Sequence, residues 1–364
     1  MKDRLSPLYR RLARDGARRI GERLLLGLLW PLGWLYGWVG WTRARCYATG
    51  FLPSQRFPRP VISVGNLAVG GTGKTPVVDY LCTLLIAQGL RVAVVSRGYG
   101  AQYLNRDTVR IVSAGKGPLL SAREAGDEPF LLAQRQPQTV VVIAPRRAEG
   151  IRRVLERFSV DVIVLDDGFQ HLAVQRDLDL VLLDARCPFG NGSVLPAGLL
   201  RERRSALQRA DLLLLTRWSE GLPVPECGRP VVRVAQVLDD AIVDLVGQTA
   251  TLSQCRSGRA VAFAGIAQPE DFFHALREQG IELISTLCFA DHSDYDEQRL
   301  QQIRDCCAGA DFLLTTQKDA VKLRADQLPI PCYQVGLTLH VHDQALLRQT
   351  LFERVNPGCA GPTS

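Results

Sequence analysis

VISVGNLAVGGTGKTPVVDYLCTLLIAQG, residues 61 to 89, is the stretch on which the reading of the fold turns. Its first six residues form a strand candidate, and GGTGKT follows as a turn. The rest carries Pro76 near its start, apolar residues at 77, 78, 81, 84 and 85, and Gly89 as a stop, which predicts a helix. A strand, a glycine-rich turn and a helix N-terminus together aim backbone N–H groups and the helix dipole at a phosphate. Gly70, Gly71, Thr72, Gly73, Lys74 and Thr75 are therefore candidate nucleotide-binding residues. Lys74 would reach the β- and γ-phosphates of ATP, and Thr75 would place its hydroxyl on Mg²⁺. The generic pattern begins with glycine where this chain has Ala68, but three glycines keep the tight part of the loop flexible. A glycine-rich connector with an incidental lysine is the bland alternative.

Outward from this unit, short Val/Ile/Leu runs at 91–96, 139–144, 161–167, 178–184 and 211–216 are separated by helical patterns. Continuous apolar runs of this kind predict strands covered on both faces, hence an α/β fold with a mostly parallel sheet. The Pro- and Gly-rich segment EGLPVPECGRP, 220–230, predicts a boundary. Beyond it, strand candidates at 259–266, 282–289, 312–319 and 332–337 and a helix around 271–280 predict a second, smaller α/β unit. The expected organisation is an anchor over 1–50, a P-loop core over 51–225, the smaller domain over 226–350 and a disordered tail over 351–364.

In VIVLDD, 162–167, four apolar residues precede two acids, so Asp166 ends a buried strand and can hold Mg²⁺ directly or through water, with Asp167 beside it. Paired carboxylates are also a common strand-to-loop transition.

The 364-residue chain is 46% hydrophobic and 22% charged, enough to bury large cores in more than one domain. Its ten cysteines show no C-x-x-C pair, which points to a reduced compartment. Residues 1–50 carry ten Lys/Arg against three Asp/Glu, so the formal charge of +7 belongs entirely to that end and gives no nucleic-acid signal elsewhere. There, Arg10, Arg11, Arg14, Arg18, Arg19 and Arg23 precede the uncharged run LLLGLLWPLGWLYGWVGW, 24–41, and Arg43 and Arg45 follow it. Trp30, Trp34, Trp38 and Trp41 fall at helical spacing. Indoles prefer the headgroup level and arginines suit anionic lipid. With Pro31 and four glycines inside it, the run predicts a helix or broken helix lying in the membrane interface or dipping into it; a buried hairpin is the alternative.

A phosphate donor needs an acceptor, with a base or orienting group near the acceptor oxygen. Asp127 in EAGDEP, 124–129, is one candidate, and it would equally serve as a helix cap near Pro129. His292 in DHSDY, 291–295, lies among carboxylates that favour its charged form, or is simply a surface residue. His171 in DDGFQH directly follows the paired acids and could support them.

Taken together, GNLAVGGTGKTP, SRGYG (96–100), EAGDEP, LDDGFQH (165–171), LPAGLLRE (195–202), FAGIAQPEDFF (263–273), FADHSDY (289–295) and TTQKDAVKL (315–323) resemble the signature blocks of the tetraacyldisaccharide 4′-kinases, in family order over residues 60–325. The family loop reads G-N-L-x-x-G-G-x-G-K-T, so Ala68 is no departure. The resemblance implies ATP- and Mg²⁺-dependent phosphorylation of the 4′-hydroxyl of a tetraacylated glucosamine disaccharide 1-phosphate, forming lipid IVA in lipid A biosynthesis. It places the enzyme at the cytoplasmic face of the inner membrane; the chain is expected to act as a monomer. It implies Asp127 as base and His292 as its partner, with Lys74 and Asp167 also catalytic. It puts Thr75, Asp166 and Glu202 near the metal, and Arg201 and Asn66 near the substrate. GGTGKT also resembles the deviant P-loop ATPases that act as membrane-bound nucleotide switches, but their signature lysine precedes the two glycines, where this chain has Val69.

Overall fold

The computed structural model describes residues 7–102, 105 and 107–355. Two helices come first, α1 (Pro7–Asp15) and α2 (Ile20–Ala48). The chain then alternates through β1 (Val61–Asn66), α3 (Lys74–Ala87), β2 (Val92–Ser96), β3 (Arg110–Ala114), α4 (Ala122–Ala125), α5 (Asp127–Arg135), β4 (Val140–Ile143), α6 (Arg147–Arg157), β5 (Val162–Asp166), β6 (Leu178–Asp184) and β7 (Leu212–Thr216). The remainder comprises β8 (Val231–Asp244), β9 (Thr249–Thr251), α7 (Leu252–Cys255), β10 (Arg259–Ala264), α8 (Pro269–Glu278), β11 (Glu282–Cys288), α9 (Glu297–Asp305), β12 (Phe312–Thr316), α10 (Gln317–Ala320), β13 (Cys332–Val341) and α11 (Gln344–Val355).

The expected apolar runs are strands, and β1, β2, β4, β5 and β7 are buried along their whole length. They pair in the order β7-β6-β1-β5-β2-β4, all parallel, with β3 antiparallel at the edge. One face of this sheet packs on α3 through Val77, Val78, Leu81 and Leu85, and the other on α6 through Ile151 and Val154. Truncating the leucines or isoleucine among them to alanine costs on the order of 2–5 kcal/mol each.

The expected boundary at 225–226 does not interrupt the sheet. β8 adds in parallel to β7, then pairs antiparallel with β13, and β12, β10 and β11 continue beyond it. The second part has cores of its own on both faces of its strands, around Phe273 and Phe263. The whole is one continuous mixed sheet with two sets of cores. β8 has no continuous apolar run to mark it, because polar residues interrupt VVRVAQVLDDAIVD after every two or three apolar ones and most of the strand is only partly covered. The chain also stays ordered past 351: α11 returns to the first part and buries Leu347, Leu351 and Val355 in the same core as α3. Residues 356–364 lie outside the described residues.

α2 is one helix of 29 residues, about 44 Å long at 1.5 Å per residue. Pro31 lies inside it without breaking it. Leu24, Leu28, Trp30, Leu32, Trp34, Leu35, Trp38, Val39 and Trp41 are all exposed, so the helix is apolar around most of its circumference rather than along one stripe. It touches the body through Gly33 and Gly37. A Cβ at Gly33 would lie 3.1 Å from the Val194 carbonyl oxygen, and one at Gly37 3.1 Å from Val194 Cγ2.

Candidate active site

The loop between β1 and α3 is held from three sides. The Asn66 amide donates to the Ala68 carbonyl at 2.6 Å, the Val69 N–H to the Leu199 carbonyl at 2.8 Å, and the Thr216 hydroxyl to the Thr72 carbonyl at 2.8 Å. Gly73 caps α3 with φ of +81°, and Lys74 and Thr75 open the helix. A lysine at the opening of a helix, whose first backbone N–H groups have no intrahelical partner, has the chemistry that suits a phosphate.

Asp166 and Asp167 sit at the end of β5, beside β1. Asp167 takes φ of +54° and points at two cations: its Oδ1 lies 3.6 Å from Lys74 Nζ and accepts from Arg201 Nη1 at 2.9 Å. Burial pushes its carboxyl up, but Lys74 and Arg201 outweigh that and hold it below the usual carboxylate range. Asp166 is the opposite case. Burial, then the charge of Glu128, push it up to about 6 despite Lys74. Its Oδ2 accepts from the Ser96 hydroxyl at 3.0 Å, whereas the buried Oδ1 has no hydrogen-bond partner. An orphaned, buried carboxylate oxygen is costly unless a donor or a cation completes it, so the residues present fit a hard divalent ion at this point. Among the described residues no three His, Cys, Asp or Glu side chains converge on one point, so such an ion would draw its other ligands from phosphate and water.

The second cluster is assembled across the sheet. Gly126, with φ of +85°, packs so closely on the Tyr99 carbonyl that a Cβ there would lie 2.5 Å from its oxygen. The tight turn starts α5 at Asp127, whose side chain does not cap the helix. Its Oδ2 instead meets His292 Nδ1 at 3.0 Å and Lys322 Nζ at 2.7 Å. His292 takes φ of +62°, donates its own N–H to the Gly265 carbonyl, and sets its ring edge-on to Tyr99 with centroids 5.3 Å apart. It is half-buried rather than a surface residue. Burial pushes the Asp127 carboxyl up, but hydrogen bonds from His292 and Lys322 hold it below its ordinary value. Glu128, the next residue, accepts from Lys318 Nζ at 3.1 Å. It feels the charges of Lys318 and Lys74 and disfavours ionisation of Asp166, and so ties the two clusters together.

Of the residues singled out in the sequence, Lys74, Asp167 and Arg201 come together, and Asp127 and His292 form the other group. Glu202 accepts from Arg209 with both oxygens, at 2.9 and 2.8 Å. Asn66 is fully buried, bracing the loop from within. Glu128, Lys318, Lys322, Ser96 and Arg147 were not picked out as site residues. Arg147 is buried and donates to the Asp166 and Ala144 carbonyls at 3.0 Å. The available signal was charge inside otherwise apolar or helical blocks, as with Lys318 and Lys322 four residues apart in TTQKDAVKL.

The segment carrying Arg201 also carries α1 and α2. Arg201 N–H donates to the Leu67 carbonyl, Val194 and Ala197 cover Gly33 of α2, and the Tyr9 hydroxyl of α1 donates to the Pro196 carbonyl at 2.6 Å. The apolar helix is thus docked on the segment that carries Arg201.

Comparison with known proteins places these features. The model of a family described as tetraacyldisaccharide-1-P 4′-kinase matches residues 25–356. The tetraacyldisaccharide 4′-kinase of Syntrophotalea carbinolica is 50% identical over 349 residues, covering 96% of this chain and 97% of that one. That of Geobacter sulfurreducens is 45% identical over 345 residues, covering 94% and 97%. The solved structure of LpxK from Aquifex aeolicus in complex with ATP superposes with a TM-score of 0.77 at 31% identity, covering 91% of this chain and 99% of that one.

Proposed function

Because this chain belongs to the tetraacyldisaccharide 4′-kinase family, and so uses ATP to phosphorylate the 4′-position of a lipid disaccharide in lipid A biosynthesis, we propose that Asp127 is the general base of the transfer and His292 its partner. The observation that carries this reading is the 3.0 Å contact between His292 Nδ1 and Asp127 Oδ2. Both cationic or polar donors of Asp127 fall on Oδ2, which leaves Oδ1 to receive the proton of the acceptor hydroxyl. The reading as a nucleotide-switch ATPase is not favoured.

Around the nucleotide, Gly70 to Thr75 would cradle the phosphates, with Lys74 on the β- and γ-oxygens. Asp166, through its unpartnered Oδ1, and the Thr75 hydroxyl would hold Mg²⁺, which neutralises charge developing on the phosphate oxygens. Asp167 holds Lys74 and Arg201 in register, and Arg201 would clamp an anionic phosphate with its guanidinium. Glu202, satisfied by Arg209, orients the loop that presents Arg201, with Asn66 bracing the opposite side.

We assign the acceptor to the bilayer. A lipid with four acyl chains barely leaves the membrane, so its kinase must work at the interface. α2 exposes apolar side chains around most of its girth and is long and apolar enough to cross a membrane. Docked through Gly33 and Gly37, it would enter the apolar layer of the inner membrane from the cytoplasmic side, with its flanking arginines at the headgroups. The protein would act as a monomer, and the lipid would enter between α2 and the second part of the sheet.

The test is transfer of labelled γ-phosphate from ATP to purified disaccharide 1-phosphate lipid in detergent micelles. Wild type should label the lipid, and Asp127→Asn should lose about 10²- to 10⁴-fold in kcat. Wild-type rates in Asp127→Asn would remove the base assignment.

A further inference from the structure

We propose that Lys322 and Lys318 are a pair of positioning residues for the phosphoryl transfer: Lys318 sets the tautomer of His292, and Lys322 shares Oδ2 of Asp127 with it. This inference rests on the reading of Asp127 as the base.

The pair is delivered by α10 and the turn that follows it. α10 packs on α5, and its first turn is capped by the Thr316 hydroxyl, which accepts from the Asp319 N–H. Asp319 is fully buried and accepts from the Gly265 N–H at 3.0 Å and from the Thr316 hydroxyl at 2.7 Å. That places Lys318 and Lys322 on one side of the turn, facing the loop of His292.

An ammonium donates hydrogen bonds and accepts none. Lys318 Nζ lies 3.3 Å from His292 Nε2, so Nε2 is the acceptor and the ring proton resides on Nδ1, where it points at Asp127 Oδ2. With Lys318 replaced by an apolar side chain, either ring nitrogen could carry the proton. One of the two tautomers would then set two lone pairs against each other. Lys322 adds a second donor to the same oxygen and donates to the Ser293 carbonyl at 3.1 Å, so it clamps the loop of His292 onto α5. Its side chain is only 8% exposed, which excludes a loose surface pair. The other charged groups facing the pair are Glu128 on α5, Asp291 beside His292, 3.4 Å from Lys318, and Lys74 across the site. A base held ionised this way is weak, but a loose phosphoryl-transfer transition state asks for orientation more than for early proton removal.

The experiment measures kcat and kcat/KM against pH for Lys318→Met, Lys322→Met, Lys322→Arg and Asp127→Asn, with affinity for a fluorescent ATP analogue as the control for folding. Both methionine variants should keep ATP affinity within about twofold and lose about 10- to 100-fold in kcat. Their acid limbs should move up by about one pH unit, because Asp127 loses a charge or an oriented donor. Lys322→Arg should recover part of the rate and the wild-type limb. In ¹⁵N spectra of Lys318→Met, His292 should shift from the Nδ1–H form to a mixture. If Asp127→Asn is inactive while the acid limb and the His292 tautomer are unchanged in the methionine variants, the lysine assignment fails and the base survives. If Asp127→Asn is active, the base reading itself falls. Should either methionine variant not fold, since Lys322→Met strands the Asp127 carboxylate and Lys318→Met that of Glu128, Lys322→Arg and Lys318→Gln, which keep a donor for those carboxylates, carry the decision.

Discussion

Lys74 Nζ lies 3.6 Å from Asp167 Oδ1, and Arg201 Nη1 donates to the same oxygen at 2.9 Å. The lysine that opens α3 is therefore paired with the acid that follows β5, and Arg201 shares that acid with it.

From this follows a contrast between the two cations. Lys74→Ala removes the charge over the phosphates and should lower kcat/KM for ATP by about 100-fold or more. Arg201→Ala leaves Lys74 in place and should act mainly on the KM for the lipid. Steady-state kinetics with each substrate varied separately would show the split, and equal losses on both substrates for both variants would contradict it.

Gly126→Ala tests the turn that aims Asp127. The new Cβ would meet the Tyr99 carbonyl oxygen at 2.5 Å in a backbone region that L-residues avoid. A loss of about 2 kcal/mol or more in unfolding free energy is expected. Denaturant unfolding gives the value, and a change under about 0.5 kcal/mol would show that the turn is not rigid.

His171 should make the fold acid-sensitive. Burial first, then the charges of Arg147, Arg43, Arg176 and Arg97, push its imidazole down to about 4. Its unfolded value is about 6.5, so between those limits the unfolded chain binds more protons and stability rises with pH. The contribution is complete above pH of about 6.5 and is lost as pH falls towards 4, up to about 3 kcal/mol in all. Replacing His171 with Phe should flatten the stability profile across that window; an identical slope in the variant would assign the acid sensitivity elsewhere.

Gly37→Leu should separate membrane docking from nucleotide binding. The larger side chain would collide with Val194 and Arg203 and lift α2 from the segment that carries Arg201. Affinity for ATP should hold within about twofold, while the apparent KM for lipid in vesicles rises about tenfold. Full activity on vesicles would show that the docked position of α2 is irrelevant to lipid access. Removal of residues 1–48 should have the larger effect of the same kind.

The glycine-rich turn, the parallel strands and the apolar N-terminal helix were legible because each is written in adjacent residues. Glycine spacing, continuous Val/Ile/Leu runs and a helical Trp series are local patterns with local physical causes. Asp127 and His292 could be picked out only as two polar residues in glycine-marked or acidic loops, and each had a bland reading that the sequence left open. The strand β8 lacks that signal because Arg233, Gln236, Asp239 and Asp240 interrupt it, so it carries no long apolar run.

What the sequence by itself determined, then, was the strand, glycine-rich turn and helix of 61–89, the continuous apolar strands and the apolar N-terminal helix, whose patterns lie within one turn or one strand. Tertiary structure alone decided the rest: that β8 joins two parallel sets into one sheet, that α10 faces α5, and that Lys322, 195 positions from Asp127, lies 2.7 Å from its carboxylate. It also decided that the Asp166 carboxyl is pushed up and the Asp167 carboxyl held down, although the two are neighbours in the chain. The reason is that desolvation and charge act through space. Two adjacent carboxylates share a sequence context but not a dielectric environment, and only the folded chain assigns one to buried isolation and the other to a pair of cations.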